Sequence, residues 1–101
     1  LSHKAVSYFA RYVEQVVKGL GEFTNLWCTI NEPNVYAYLC YLKGEFPPGA
    51  HDFNAAIRAH RNMLKAHSTA YLILHNQQEN ASVGIAHNIR IIEPANFDQV
   101  A

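Results

Sequence analysis

The chain reads as an α/β protein built on a parallel sheet, and three observations carry that expectation. Apolar residues recur every three or four positions from Ser2 to Leu20 and again from Phe53 to Leu74, the period of an amphipathic helix. Each helical stretch is followed by a short apolar run, Asn25 to Asn31 and Val83 to Asn88, of the kind that forms a strand buried on both faces. The resulting order, helix, strand, long loop, helix, strand, is the α/β repeat that gives a parallel sheet. That order alone does not separate an open doubly wound sheet from a barrel. Neither strand is followed by a glycine-rich phosphate loop, since Gly44 and Gly49 do not make G-x-G-x-x-G, and nucleotide binding is set aside.

In the first helix the stripe is Ala5, Val6, Phe9, Ala10, Val13, Val16, Val17 and Leu20. Ser2 is the expected N-cap, and Gly19 and Gly21 bracket the end, where a left-handed residue is least costly. After the first strand, Asn34 to His51 is rich in aromatic residues and closes on Pro47-Pro48-Gly49, a rigid turn. Ordinary βα loops run about 2 to 6 residues, so a connector of this length is expected to be functional. Part of it, Val35 to Leu42, is expected to form a short helical turn that Gly44 breaks. Asp52 then caps a long helix with the stripe Phe53, Ile57, His60, Leu64, His67, Tyr71 and Leu74, flanked by Ala56, Met63 and Ala70. The polar run Asn76 to Asn80 ends it, and Glu93-Pro94 closes the segment after the second strand.

Of 101 residues, 50% are hydrophobic and the formal charge is zero, which argues against a disordered chain or an electrostatic nucleic-acid binder. No apolar run approaches the ~20 residues that span a bilayer, and no basic-then-apolar leader is present. A cytoplasmic protein is expected, with secretion left open because the chain reads as an internal fragment starting at Leu1. Cys28 and Cys40 lack C-x-x-C spacing and are expected to be small packed thiols. Asn80-Ala81-Ser82 fits the glycosylation pattern, which is too short to carry weight.

Chemistry gathers at Asn31-Glu32-Pro33. A carboxylate at the end of a strand, with an amide beside it, is how a parallel barrel presents an acid to a substrate. Glycoside hydrolysis uses two carboxyl groups, one donating a proton to the leaving oxygen while the other attacks or activates water, and Glu32 suits the donor. Such a donor is helped by an apolar, partly desolvated setting, for which Trp27, Tyr36 and Phe46 are the candidates. Strict alternation would send Asn31 and Glu32 to opposite faces, so both reach one site only if the strand bends or bulges.

The histidines invite a metal reading and do not support it. His60 and His67 lie seven residues apart, about 10.5 Å along a helix, whereas two nitrogens on one zinc lie within roughly 4 Å. They are expected to be buried and hydrogen-bonded, with His75 and His3 at the surface. His87 and Asn88, ending the second strand, are better placed for a site. Tyr36, Tyr38, Tyr41 and Phe46 are candidate sugar-stacking platforms, of which Tyr41 and Phe46 are expected to pack the loop instead.

Thr29-Ile30-Asn31-Glu32-Pro33 resembles the strand-four signature Thr-x-Asn-Glu-Pro of glycoside hydrolase family 1, the β-glucosidase family. The resemblance continues through Tyr41 to Gly49, similar to that family's Gly-Tyr-x-x-Gly-x-x-x-Pro-Gly. His60 to His67 is like its His-Asn-x-x-x-Ala-His helix, and Val83 to Asn88 like its next strand. Four elements in order cover nearly the whole chain. The resemblance implies that residues 1–101 are a partial (β/α)8 TIM barrel, truncated at both ends: helix three, strand four, long loop, helix four and strand five. A complete barrel needs roughly 250 residues.

It further implies part of a retaining β-glycosidase acting on β-glucosides or related β-glycosides, without cofactor or metal. Glu32 would be general acid and then general base, and Asn31 would contact the 2-hydroxyl of the sugar being cleaved. Asn88 and Tyr36 are the further substrate-binding candidates. The partner is a carbohydrate, with neither nucleic acid nor membrane expected. Cys40 stands where the family usually has glycine, and His87 where an apolar residue is usual. The family's nucleophile glutamate and its early Gln, His and Trp sugar contacts belong to strands absent from these residues.

Three other readings stay open at this stage. One is a different barrel glycosidase such as an endoglucanase, against which the Pro-Pro-Gly loop and the His-rich helix argue. Another is a 6-phospho-β-glycosidase of the same family. The third is a non-catalytic carbohydrate-binding or inactive barrel fragment lacking the second carboxylate.

Overall fold

The computed structural model describes residue 2 and residues 4–95. Helix α1 (Lys4–Leu20), strand β1 (Leu26–Asn31), a short helix α2 (Pro33–Ala37) running into a π-helical turn (Tyr38–Leu42), helix α3 (Phe53–Gln77) and strand β2 (Ser82–Ala86) follow in that order. The strands pair in parallel. Helix α1 begins at Lys4, where the Ser2 carbonyl accepts from the Ala5 N–H at 2.9 Å. It ends where the Gly21 N–H donates to Val17 O at 2.8 Å, and a Cβ on Gly21 would collide with that carbonyl. His3, expected at the surface, lies outside the described residues.

Val13 and Val17 of α1 pack against Ala70 and Leu74 of α3, with Trp27 of β1 and Val83 of β2 joining from the sheet. Trp27 and Val83 are opposite one another in the register, so both helices cover the same sheet face, as in a barrel wall. Burying each of these valine and leucine side chains is worth about 1.5–3 kcal/mol. Gln78, just past α3, fastens the corner: it accepts from Trp27 Nε1 at 2.7 Å and donates to the carbonyls of Gly21 and Thr24 at 2.6 and 2.9 Å.

Two expectations are corrected here. The strands are buried on one face rather than two, with Trp27 and Val83 partly covered while Leu26 stays 74% exposed and Cys28 is exposed as well. One layer of helices covers one side, so only Cys40 is a buried thiol. In α3 the buried face is centred on Ala56, Ala59, Ala66, Ala70 and Leu74, while Phe53, Ile57, Leu64 and Tyr71 are exposed. Small alanines let α3 approach α1 closely, which rotates the larger side chains out of the contact.

Asp52 caps α3 as expected, its Oδ1 accepting from the Ala55 N–H at 3.0 Å. The long loop is folded back on the π turn by backbone bonds, Ala50 N–H to Cys40 O at 3.0 Å and Asp52 N–H to Tyr41 O at 2.8 Å. Gly44 has φ +71°, and a Cβ there would lie 2.6 Å from His51 Cε1. Tyr41 packs near Tyr36, with ring centroids 6.0 Å apart, but Phe46 is 54% exposed rather than packed.

Candidate active site

The end of β1 is irregular, and the irregularity builds the site. Cys28 is opposite Gly84 but Asn31 is opposite Ala86, so three steps on β1 match two on β2: a β-bulge at Thr29 and Ile30. Both residues of the bulge turn to the helix side. The Thr29 hydroxyl lies 2.6 Å from His67 Nδ1, and Ile30 lines a cleft with Phe9, Met63 and Ala66. Asn31 is thereby exposed on the opposite, open face.

Glu32 follows with φ 46° and ψ 58°, the left-handed region, which costs an L-residue roughly 1–2 kcal/mol. It is the only non-glycine with positive φ among the described residues. Its N–H donates to Ala86 O at 2.7 Å and its carbonyl accepts from the Tyr36 N–H at 3.0 Å, so both sides of the strained residue are fixed. Pro33, fully buried, starts α2 at once; it has no N–H to leave unpaired in the first turn. The bulge that Asn31 and Glu32 need in order to share a site is present, and the left-handed Glu32 completes the bend.

From the other strand, Asn88 Nδ2 donates to Glu32 Oε1 at 3.1 Å. Asn34 Nδ2 in turn donates to Asn88 O at 2.8 Å. Glu32 and Asn88 thus meet at the carboxyl end of the parallel pair, with Asn31 as the last residue of β1. Asn34 was not singled out from the sequence; the available signal was a second amide two residues after Glu32, ahead of a helical turn. Beside Asn34 and Asn88 opens a cleft of about 630 Å³, bordered also by Tyr38, Lys43, Glu45 and Arg90; Asn31 and Glu32 are not among its lining residues.

Tyr36 lies elsewhere. It lines the helix-side cleft of about 290 Å³ with Ile30 and Met63. Its phenol is held above its ordinary pKa first by burial and then by neighbouring Tyr41. Nor do the other proposed aromatic neighbours reach Glu32: Trp27 is five residues back on the helix side, bonded to Gln78, and Phe46 is exposed. The carboxylate instead meets the Asn88 amide. His87 is exposed.

His67 is part-buried and paired with Thr29; His60 is part-buried, with its Nε2 buried and unpartnered. His75, expected at the surface, is half-buried with its ring 4.2 Å from that of Tyr71 and its Nε2 out of solvent. It sits one turn after Tyr71, which covers it. No group of three His, Cys, Asp or Glu able to hold a metal occurs among the described residues. No helix of the described residues is long and apolar enough to cross a membrane.

A half-buried carboxyl with one oxygen held by an amide can give and take a proton at its other oxygen. Fold and site together define a segment of a (β/α)8 barrel that presents a carboxylate at the carboxyl end of a strand, where barrel enzymes place their acids. The family model for glycosyl hydrolase family 1 matches residues 1–100, and the chain belongs to that family. It is 32% identical to β-glucosidase A of Thermotoga maritima over 94 residues, covering 93% of this chain and 21% of that protein. It is 33% identical to the 6-phospho-β-galactosidase of Staphylococcus epidermidis, covering 86% of this chain and 18% of the relative. The solved structure of the Thermotoga maritima β-glucosidase in complex with noeuromycin superposes with a TM-score of 0.87 at 32% identity, over 97% of this chain and 22% of that one. The chain thus spans about a fifth of the length of these relatives.

Proposed function

We propose that this chain is part of the catalytic barrel of a retaining β-glycosidase acting on β-glucosides or related β-glycosides. The observation that carries the reading is the backbone of Glu32, a carboxylate held left-handed at the end of a strand, since strain of that kind is tolerated where a side chain must be aimed. Relatives and structural neighbours described as β-glucosidases, one in complex with deoxynojirimycin, support it.

In the first half-reaction Glu32 gives its proton to the glycosidic oxygen as that C–O bond breaks, and a second carboxylate, outside these residues, bonds to the anomeric carbon. In the second, the Glu32 carboxylate takes a proton from water as the water oxygen displaces the enzyme carboxylate. Asn31, exposed on the open face beside Glu32, holds the 2-hydroxyl. A 6-phospho-β-glycoside is the second reading, favoured by the staphylococcal relatives of that name; parallel assays with and without the 6-phosphate separate the two.

The test is Glu32→Gln in the full-length enzyme. Turnover of glycosides with poor leaving groups should collapse, while activated aryl glycosides, which need little protonation to depart, keep most of their first-step rate. Equal losses on both would remove Glu32 from the acid role.

A further inference from the structure

The two amides behind Glu32 form a chain with a direction. Asn34 Nδ2 donates to the backbone carbonyl of Asn88, and Asn88 Nδ2 donates to Oε1 of Glu32. We infer that Asn34 is a positioning residue for the acid: by holding the Asn88 backbone it keeps the Asn88 amide on Oε1, which leaves Oε2 as the oxygen that carries the transferred proton. The inference rests on the acid/base reading of Glu32.

Three features support it. Asn88 lies two residues beyond Ala86, the last residue of β2, so the sheet ladder no longer fixes its backbone. Asn34 sits in the first turn of α2 directly after the fully buried Pro33, and its bond ties the free end of β2 to the element that follows Glu32. The orientation of the Asn34 amide is fixed, because turning it over would set two carbonyl oxygens face to face.

A protonated carboxyl has one hydroxyl and one carbonyl oxygen, and only the latter is a good acceptor for an amide N–H. Oε1 accepts from Asn88, so the proton belongs to Oε2. When Glu32 is ionised Oε1 still accepts, and the bond survives both half-reactions while Oε2 loses and regains the proton. Asn34 Oδ1, meanwhile, is buried without a partner. An unpaired buried acceptor is destabilising, and an apolar residue of the same size would avoid it. Packing does not explain asparagine here; the donor does.

The test uses Asn34→Leu in the full-length enzyme, which keeps the volume and removes both the donor and the orphan acceptor. For alkyl glycosides or disaccharides kcat/KM should fall about tenfold to a hundredfold, the cost of a small misplacement. For a dinitrophenyl glycoside it should change by less than about threefold. The melting temperature should change little, since losing the orphan acceptor offsets leaving the Asn88 carbonyl without its donor. Equal losses on both substrates with a lower melting temperature would make Asn34 a structural residue and overturn the inference.

Asn88→Ala keeps the carbonyl that Asn34 binds but lacks the donor to Glu32, so it should show the same leaving-group signature even where Asn34→Leu folds poorly. The double variant should be no worse than Asn88→Ala alone; additive losses would break the chain of action. Glu32→Gln run in parallel separates the two claims. If it does not discriminate leaving groups, the acid assignment falls and this one with it. If it does and Asn34→Leu does not, Asn34 alone loses its role.

Discussion

His67 Nδ1 and the Thr29 hydroxyl lie 2.6 Å apart, and the same hydroxyl is 3.2 Å from Gly84 O. A hydroxyl has one proton, so it serves the Gly84 carbonyl only with His67 in the tautomer that carries its proton on Nδ1. One side chain therefore joins α3, the bulge of β1 and the middle of β2, two residues before Asn31 and three before Glu32.

Thr29→Val should accordingly destabilise the protein by about 0.5–1.5 kcal/mol, because it removes the hydroxyl that pairs with His67 Nδ1. Thr29→Ser should recover most of the loss. Denaturant unfolding of the three proteins measures it, and a valine variant as stable as the threonine protein would mean that the bulge is held by packing alone.

Asn31→Ala should lower kcat more than it raises KM. The residue is delivered to the open face by the bulge, and a bond to the 2-hydroxyl of the cleaved sugar strengthens as the transition state forms. Steady-state kinetics on an aryl β-glucoside decide it. A change confined to KM would reduce Asn31 to uniform binding.

The two long helices α1 and α3, both strands and their order were legible in the sequence, because periodicity and continuous apolar runs report local burial directly. The Asp52 cap was legible for the same reason: its bond to Ala55 is local. What stayed hidden depended on partners distant in sequence. Which face of α3 is buried was decided by how closely its alanines let α1 approach, and the larger Phe53 and Ile57 misdirected the stripe. Gln78 looked like part of a polar tail, yet it serves three groups between Gly21 and Trp27. At the site, the motif marked Asn31 and Glu32, and the strand end marked Asn88. Asn34 and the left-handed backbone of Glu32 emerge only once β2 is laid beside β1.

Tyr36 supplies a pH dependence. Partial burial of a residue still 39% exposed, then Tyr41, raises its folded pKa above the ordinary tyrosine value. A group so raised contributes stability that is complete below the unfolded pKa and is lost as pH rises through the folded one. The enzyme should therefore lose stability above about pH 10, and Tyr36→Phe should flatten that alkaline limb while leaving the neutral region alone. Thermal melts from pH 7 to 11 would show it, and an unchanged limb would move the effect to other groups.

The 101-residue chain by itself should show neither glycosidase activity nor cooperative folding as a monomer. The covalent intermediate needs two carboxylates, and the described residues place only Glu32 at the end of a strand. Among those residues β1 and β2 pair only with each other, which leaves an open edge on each, and open edges recruit other chains. Leu26 and Phe23 are 74% and 76% exposed, and Ile57 is 51% exposed on the outer face of α3. The radius of gyration is 17.3 Å, against about 13 Å for a compact domain of this length, so the shape is a slab with too little interior to offset chain entropy. Expressed alone, it should aggregate or form a dye-binding state that has lost its near-ultraviolet circular dichroism. Light scattering with that spectrum is the measurement; a monodisperse monomer with a sharp thermal transition would show that these elements fold without the rest of a barrel, and the partial-barrel reading would have to be given up.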